Sequence, residues 1–130
     1  MCIRDSPVTA AAALATLQVI EQEGLVENAA RVGAHALERL HDLQRRHALI
    51  GDVRGRGLLL GLELVTDRAT KSAAADPAEA VLYHAMSNSL SFKTTMGNVL
   101  TLTPPLITTI AQMDSAMDIL DAALTAVATS

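Results

Sequence analysis

A chain of 130 residues with a formal net charge of −4 has room for one domain with a real apolar core, and its acidic balance excludes the basic footprint of a nucleic-acid or anionic-membrane binder. Half of the residues are apolar but only Tyr83 and Phe92 are aromatic, so the core must be built from Leu, Ala, Val, Ile and Met. The single cysteine, Cys2, excludes an internal disulfide framework and a multi-cysteine zinc site. The apolar stretches break off short of the roughly 20 residues a spanning helix needs. The head MCIRDSPV lacks the basic start and long apolar run of a signal peptide, so a cytoplasmic protein with no nucleic-acid or membrane partner is expected.

Taken in chain order, PVTAAAALATLQVIEQEG is rich in helix formers, with Pro7 at a first helical position and Ser6 as a candidate cap. Gly24 interrupts. A second helix follows, on which Leu25, Ala29, Val32, Ala36, Leu40 and Leu43 fall at steps of three and four and make one stripe. Glu27 with Arg31, and Glu38 with Asp42, sit at i,i+4 on wetter faces.

After Ile50 the period becomes alternating: Leu58, Leu60, Leu62 and Leu64 share one side of a strand, with Leu59, Gly61, Glu63 and Val65 on the other. The segment in front of it, GDVRGRG, reads as a tight lead-in, with glycine also serving close packing inside the strand. TDRATKSAAA reads as a loop. Asp76, Pro77 and Glu79 predict a helix start, with Asp76 as cap and Pro77 at N1, and that helix runs to about Asn88. SFKTT and NVLTLT predict two short strands turning at Met96 and Gly97, ended by Pro104 and Pro105. Thr109 and Gln112 spell a capping box before a last helix striped by Met113, Met117, Leu120, Leu124 and Val127. The expected fold is α/β of the α+β type, a small mixed or antiparallel sheet covered by helices.

Self-contained chemistry is hard to find in this pattern. Gly55, Gly57 and Gly61 have the wrong spacing for a dinucleotide loop and lead into a strand rather than a helix. Arg54 and Arg56 are guanidiniums able to clamp a carboxylate or a neighbouring segment, and structural pinning by Arg54 is the expectation. His35, His41 and His47 recur every six residues, which turns successive side chains by roughly 240 degrees on a helix, so they do not share a face. His84 stands alone, and no metal site is expected. Asp114, Asp118 and Asp121 have the spacing of a solvated helix face. No residue qualifies as a catalytic nucleophile.

Three blocks carry a resemblance: SPVTAAAALATLQVIEQEGLVENAARVGAHALERL, then IGDVRGRGLLLGLELVTDRAT, then GNVLTLTPPL with the amphipathic helix after it. In this order and spacing they resemble the C-terminal part of a class III aminotransferase, a pyridoxal-phosphate enzyme of fold type I. The resemblance runs from about Pro7 to the end. It implies a small C-terminal domain with a short sheet and helices on one side over residues 49–130. It also implies long helices linking to an absent large domain over residues 7–48, and a foreign or disordered head over residues 1–6 of a truncated reading frame.

The resemblance further implies amino-group transfer between an amine or amino acid and a 2-oxo acid in a homodimeric parent that binds pyridoxal phosphate. An ammonia-lyase or phospho-lyase of the same family is the alternative. In such enzymes the cofactor's lysine, the aspartate at its pyridine nitrogen and its phosphate contacts precede the Pro7 block. Of the two lysines here, Lys71 and Lys93, neither has that context, so this chain is expected to bind no cofactor and to be inactive alone. Many members also place an arginine for the substrate carboxylate in the pattern N-V-x-R-x-x-P-P. The matching residue is Thr101, which puts Thr101 in the substrate pocket without a bidentate charge, and leaves Lys93 on the neighbouring strand as a residue able to reach in. A stand-alone α/β assembly module pairing through its alanine-rich first helix is a further reading.

Overall fold

The computed structural model describes residues 6–129; the expectations for Cys2 and for the first five residues of the head lie outside them. Helix α1 (Pro7–Gln22) is followed by α2 (Leu25–Arg46), strands β1 (Ile50–Arg56), β2 (Leu59–Asp67) and β3 (Ser72–Ala73), helix α3 (Ala75–Ser87), strands β4 (Lys93–Thr95) and β5 (Val99–Leu102), and helix α4 (Ile110–Ala128). The sheet is antiparallel with strand order β1-β2-β5-β4, and β3 pairs with the end of β2. Helices α2 and α3 lie on one face of it, and α4 packs across both helices.

GDVRGRG is not the expected lead-in. It is a strand, and only Gly57, at φ 55°, belongs to the turn. The alternation escapes notice because β1 shows little to the core: Ile50 and Val53 are buried, a bulge lies between Ile50 and Asp52, and Gly55 occupies another inward position opposite Leu60. The close packing also falls elsewhere than within β2. A Cβ on Gly61 would meet nothing nearer than 3.7 Å, whereas one on Gly33 of α2 would stand 2.1 Å from the Gly57 carbonyl oxygen, so α2 and the hairpin touch backbone to backbone.

The start of α3 is displaced as well. Ala74 holds the cap position, buried and without a side-chain cap bond, so Asp76 and Pro77 lie inside the first turn. That turn tolerates both, because its N–H groups need no helical partner and an acidic side chain suits the helix N-terminus. Ser6 similarly stands at the cap of α1 without a side-chain bond, its carbonyl accepting from the Ala10 N–H at 3.1 Å. The capping box of α4 forms as expected: the Gln112 N–H donates to Thr109 Oγ1, and the Thr109 N–H donates to Gln112 Oε1 at 3.0 Å.

One core holds the sheet and three helices together. Val32, Ala36, Leu40 and Leu43 of α2 meet Leu60, Leu62 and Leu64 of β2, Ala78 and Val81 of α3, and Met117, Leu120 and Leu124 of α4 in a single buried cluster. A boundary after residue 48 therefore does not divide the packing; α2 is a layer of the same unit as residues 49–130. Helix α1 differs, with no buried residue and Val8, Leu14 and Leu17 well exposed.

The three aspartates of α4 do more than face solvent. His35 Nε2 and Arg39 Nη1 both lie 2.7 Å from Asp114 Oδ1, and Arg39 Nη2 donates to Asp118 at 2.7 Å. Arg46 and His47 grip the two oxygens of Asp121 at 2.6 Å each. His35 and His47 thus both reach α4, three helical turns apart, while His41 meets Gln44 on α2 itself. The helical pairs at i,i+4 rearrange too: Arg31 donates to Asn28, and Asp42 takes Arg45. The hydrogen bond from His35, then the charges of His35 and Arg39, hold Asp114 below the usual carboxylate range. Burial pushes Asp121 up, but the bonds from His47 and Arg46 outweigh it and its pKa is lowered.

Carboxylates depressed on folding contribute stability above their unfolded pKa, and that contribution is lost as pH falls through the folded pKa. Urea midpoints should therefore fall as pH is lowered from about 5 to 3. Asp121→Asn should cost about 1–2 kcal/mol at pH 7 and flatten that acid limb. A variant with the parent's stability and an unchanged limb would show that the α2–α4 seam is decoration.

Candidate active-site face

No described element covers the second face of the sheet, and the strand register determines what it displays. Arg54 pairs with Gly61, Gly61 with Thr101, and Thr101 with Lys93, so these four residues make one row across β1, β2, β5 and β4. A parallel row runs Asp52, Glu63, Val99 and Thr95. A shallow depression of about 330 Å³ lies between the edge strand and the centre of this face, lined by Arg54, Arg56, Leu59, Gly61, Val99 and Thr101 among others.

Arg54 is held within the sheet. Its Nη1 donates to Asp52 Oδ2 at 2.7 Å and to Glu63 Oε2 at 2.9 Å, and these bonds, Asp52 first, raise the guanidinium above its ordinary pKa. The Asp52 and Glu63 carboxylates are thus occupied by one cation. Thr101 stands half-buried in the middle of the row, and its hydroxyl lies 2.8 Å from that of Thr95. The Arg54 and Thr101 sites of the sequence reading therefore share a face, separated by the width of β2, with Gly61 between them.

Thr95 was not visible from sequence spacing, since β4 is only three residues long and its facing depends on its register against β5. Asn98 was also missed. Buried at the hairpin, it accepts the Leu64 N–H on its backbone carbonyl at 2.8 Å and donates its amide to the Leu64 carbonyl at 2.9 Å, which fixes the β4–β5 hairpin against β2. Arg68 does a comparable task from the supposedly plain loop: it donates to the carbonyls of Gln44, His47 and Ile50, closing the C-terminal end of α2 onto the sheet.

A second hollow, of about 270 Å³, is lined by Gly51, Asp52, Glu63, Val65, Arg68 and Lys71. A crevice of about 360 Å³ on the helix side, floored by Leu102, Met113, Met117 and Leu120, has no ionisable side chain in its lining. Among the described residues no group of three or more His, Cys, Asp or Glu is placed to hold a metal ion. His84 keeps an enclosed Nδ1 without a hydrogen-bond partner on α3. No helix of the described residues is long and apolar enough to cross a membrane.

Pyridoxal-phosphate chemistry requires a lysine amine as covalent anchor and a carboxylate at the pyridine nitrogen. Lys71 is exposed in the turn between β2 and β3, and Lys93 is exposed at the start of β4; neither is ion-paired with a carboxylate among the described residues. The described residues do not compose that anchor.

The family model described as Aminotransferase class-III matches residues 5–124, and the chain belongs to that family. Over 119 residues it is 47% identical to the (R)-1-hydroxy-2-aminoethylphosphonate ammonia-lyase of Vibrio splendidus (strain 12B01), covering 92% of this chain and 25% of that protein. It is 48% identical over 122 residues to the isoleucine 2-epimerase of Lentilactobacillus buchneri, covering 94% of this chain and 27% of that protein. A solved amine transaminase from an uncultivated Pseudomonas species, in its PLP-bound form, is similar at a TM-score of 0.87 and 37% identity, over 92% of this chain and 28% of that one. The chain spans about a quarter of the length of the curated relatives it matches.

Proposed function

We propose that these residues are the C-terminal small domain of a pyridoxal-phosphate-dependent class III enzyme, and that the open sheet face looks onto the substrate. The whole enzyme would be a cytoplasmic homodimer moving an amino group between an amine or amino acid and a 2-oxo acid. In this reading Thr101 lines the substrate pocket, and Arg54 pins β1 to β2 so that the row keeps its spacing. The cofactor's anchor comes from the remaining three quarters of the protein, and this chain alone is inactive. What carries the reading is the uncovered polar row Arg54, Gly61, Thr101 and Lys93 in a chain of this family.

Elimination of ammonia is the second reading, favoured by the similarity to an enzyme named as an aminoethylphosphonate ammonia-lyase. Complementation tests both. The chain would be co-expressed with the remaining part of that relative, purified as a complex, supplied with pyridoxal phosphate, pyruvate and (R)-1-hydroxy-2-aminoethylphosphonate as the amino donor, and assayed for alanine formed from pyruvate and for free ammonia. Turnover is expected only with both parts present, with the product deciding between transfer and elimination. A soluble complex that does neither, or turnover by this chain alone, would defeat the proposal.

A further inference from the structure

We infer that Lys93, Thr95 and Thr101 form a subsite for a tetrahedral oxyanion, the phosphonate, sulfonate or phosphate end of a substrate, in preference to a planar carboxylate. The inference rests on the reading above that this face looks onto substrate. It begins from the charges in the two rows. Their carboxylates, Asp52 and Glu63, are both taken by Arg54, at the β1 edge. At the other edge, the Lys93 ammonium has no ion pair or hydrogen bond among the described residues, and Lys93 lies directly opposite Thr101 in the register.

Thr95 is two residues along β4 and therefore on the same face, with its hydroxyl against that of Thr101 at 2.8 Å. One hydroxyl donates to the other, which leaves the second O–H proton free to donate outward. Opposite residues in an antiparallel pair stand about 5 Å apart and diagonal ones about 7–8 Å, so the three side chains converge on a patch the size of one oxyanion. Gly61 beside Thr101 adds no side chain to crowd it.

The kind of donor selects the kind of anion. A carboxylate presents two coplanar oxygens that a guanidinium fork meets with two parallel bonds, and the one unpaired guanidinium on this face among the described residues, Arg56, stands on β1, two strands away from Thr101. A tetrahedral oxyanion presents three oxygens in separate directions. An ammonium is a point charge with rotatable donors, and with hydroxyls beside it each of those oxygens can find its own partner.

The test is a titration of the isotope-labelled chain at pH 7 and low ionic strength with methanesulfonate, methylphosphonate and acetate, followed by amide and side-chain NMR shifts. Methanesulfonate and acetate carry the same charge, so their comparison isolates geometry; methylphosphonate tells whether the site favours a phosphonate over a sulfonate. Both tetrahedral anions should give saturable shifts centred on Lys93, Thr95 and Thr101, with half-saturation at least about tenfold below that of acetate. Lys93→Met should abolish the response, Thr101→Val should weaken it several-fold, and Arg56→Met should leave it unchanged. Equal affinity for acetate, no saturation, or a response that survives Lys93→Met would overturn the subsite. Turnover in the complementation assay without oxyanion binding would refute the subsite alone; oxyanion binding with a silent complex would refute the functional reading alone.

Discussion

Gly33→Ala should destabilise the chain by about 2–3 kcal/mol, although alanine is the better helix former by about 1 kcal/mol. The added Cβ would stand 2.1 Å from the carbonyl oxygen of Gly57 and 2.3 Å from its carbonyl carbon. Both atoms are backbone, so no rotamer change relieves the contact; α2 must retreat from the β1–β2 hairpin. Gly57 has little freedom to move away, because it turns the chain at φ 55° between two paired strands. The control is Ala34→Gly at the next, exposed position of α2, which should cost only about 0.5–1 kcal/mol through helix propensity. Urea denaturation measures both. If Gly33→Ala proves as stable as the parent, the backbone contact between α2 and the hairpin does not support the fold.

That contact also shows where sequence reasoning stops. Stripes of period 3.6 on α2 and α4, the alternation of residues 58–65, and the Thr109–Gln112 box are local signals, and each led to the right element. What decides β1 is not local: a strand with Gly55 at one of its inward positions and charges on its other face shows hardly any apolar period, and it is a strand because β2 pairs with it. The aspartates of α4 are a further case. Taken singly, Asp114, Asp118 and Asp121 match a wet helix face, and only the proximity of α2 turns them into partners for His35, Arg39, Arg46 and His47.

The candidate site divides in the same way. Thr101 enters through the resemblance alone, as the residue at the arginine position of the N-V-x-R-x-x-P-P pattern. Lys93 is expected beside it as a residue of the neighbouring strand, but that Thr95 joins them, and that Arg54 lies in line two strands away, follows from register. Register is set by the hairpin at Met96 and Gly97 and by Asn98 bonding to Leu64, contacts that no spacing rule reaches.

The same register predicts what the inner face does for the outer one. Val53, Leu62, Leu100 and Thr94 form an inner row each member of which is the chain neighbour of Arg54, Gly61, Thr101 or Lys93. Leu62 is fully buried at the centre of that row. Leu62→Ala should cost about 3–4 kcal/mol, the transfer energy of the lost methyl groups plus the cavity left between β2 and the helices. The site should suffer with it, because the strands on either side of β2 lose the packing that holds their spacing: oxyanion-induced shifts at Thr101 should weaken several-fold under conditions where the variant is still folded. Leu62→Met conserves volume, and should cost less than about 1.5 kcal/mol and keep the response. If Leu62→Ala lowers stability but leaves the response at Lys93, Thr95 and Thr101 untouched, the β4–β5 hairpin alone organises the site and the central strand only supports the fold.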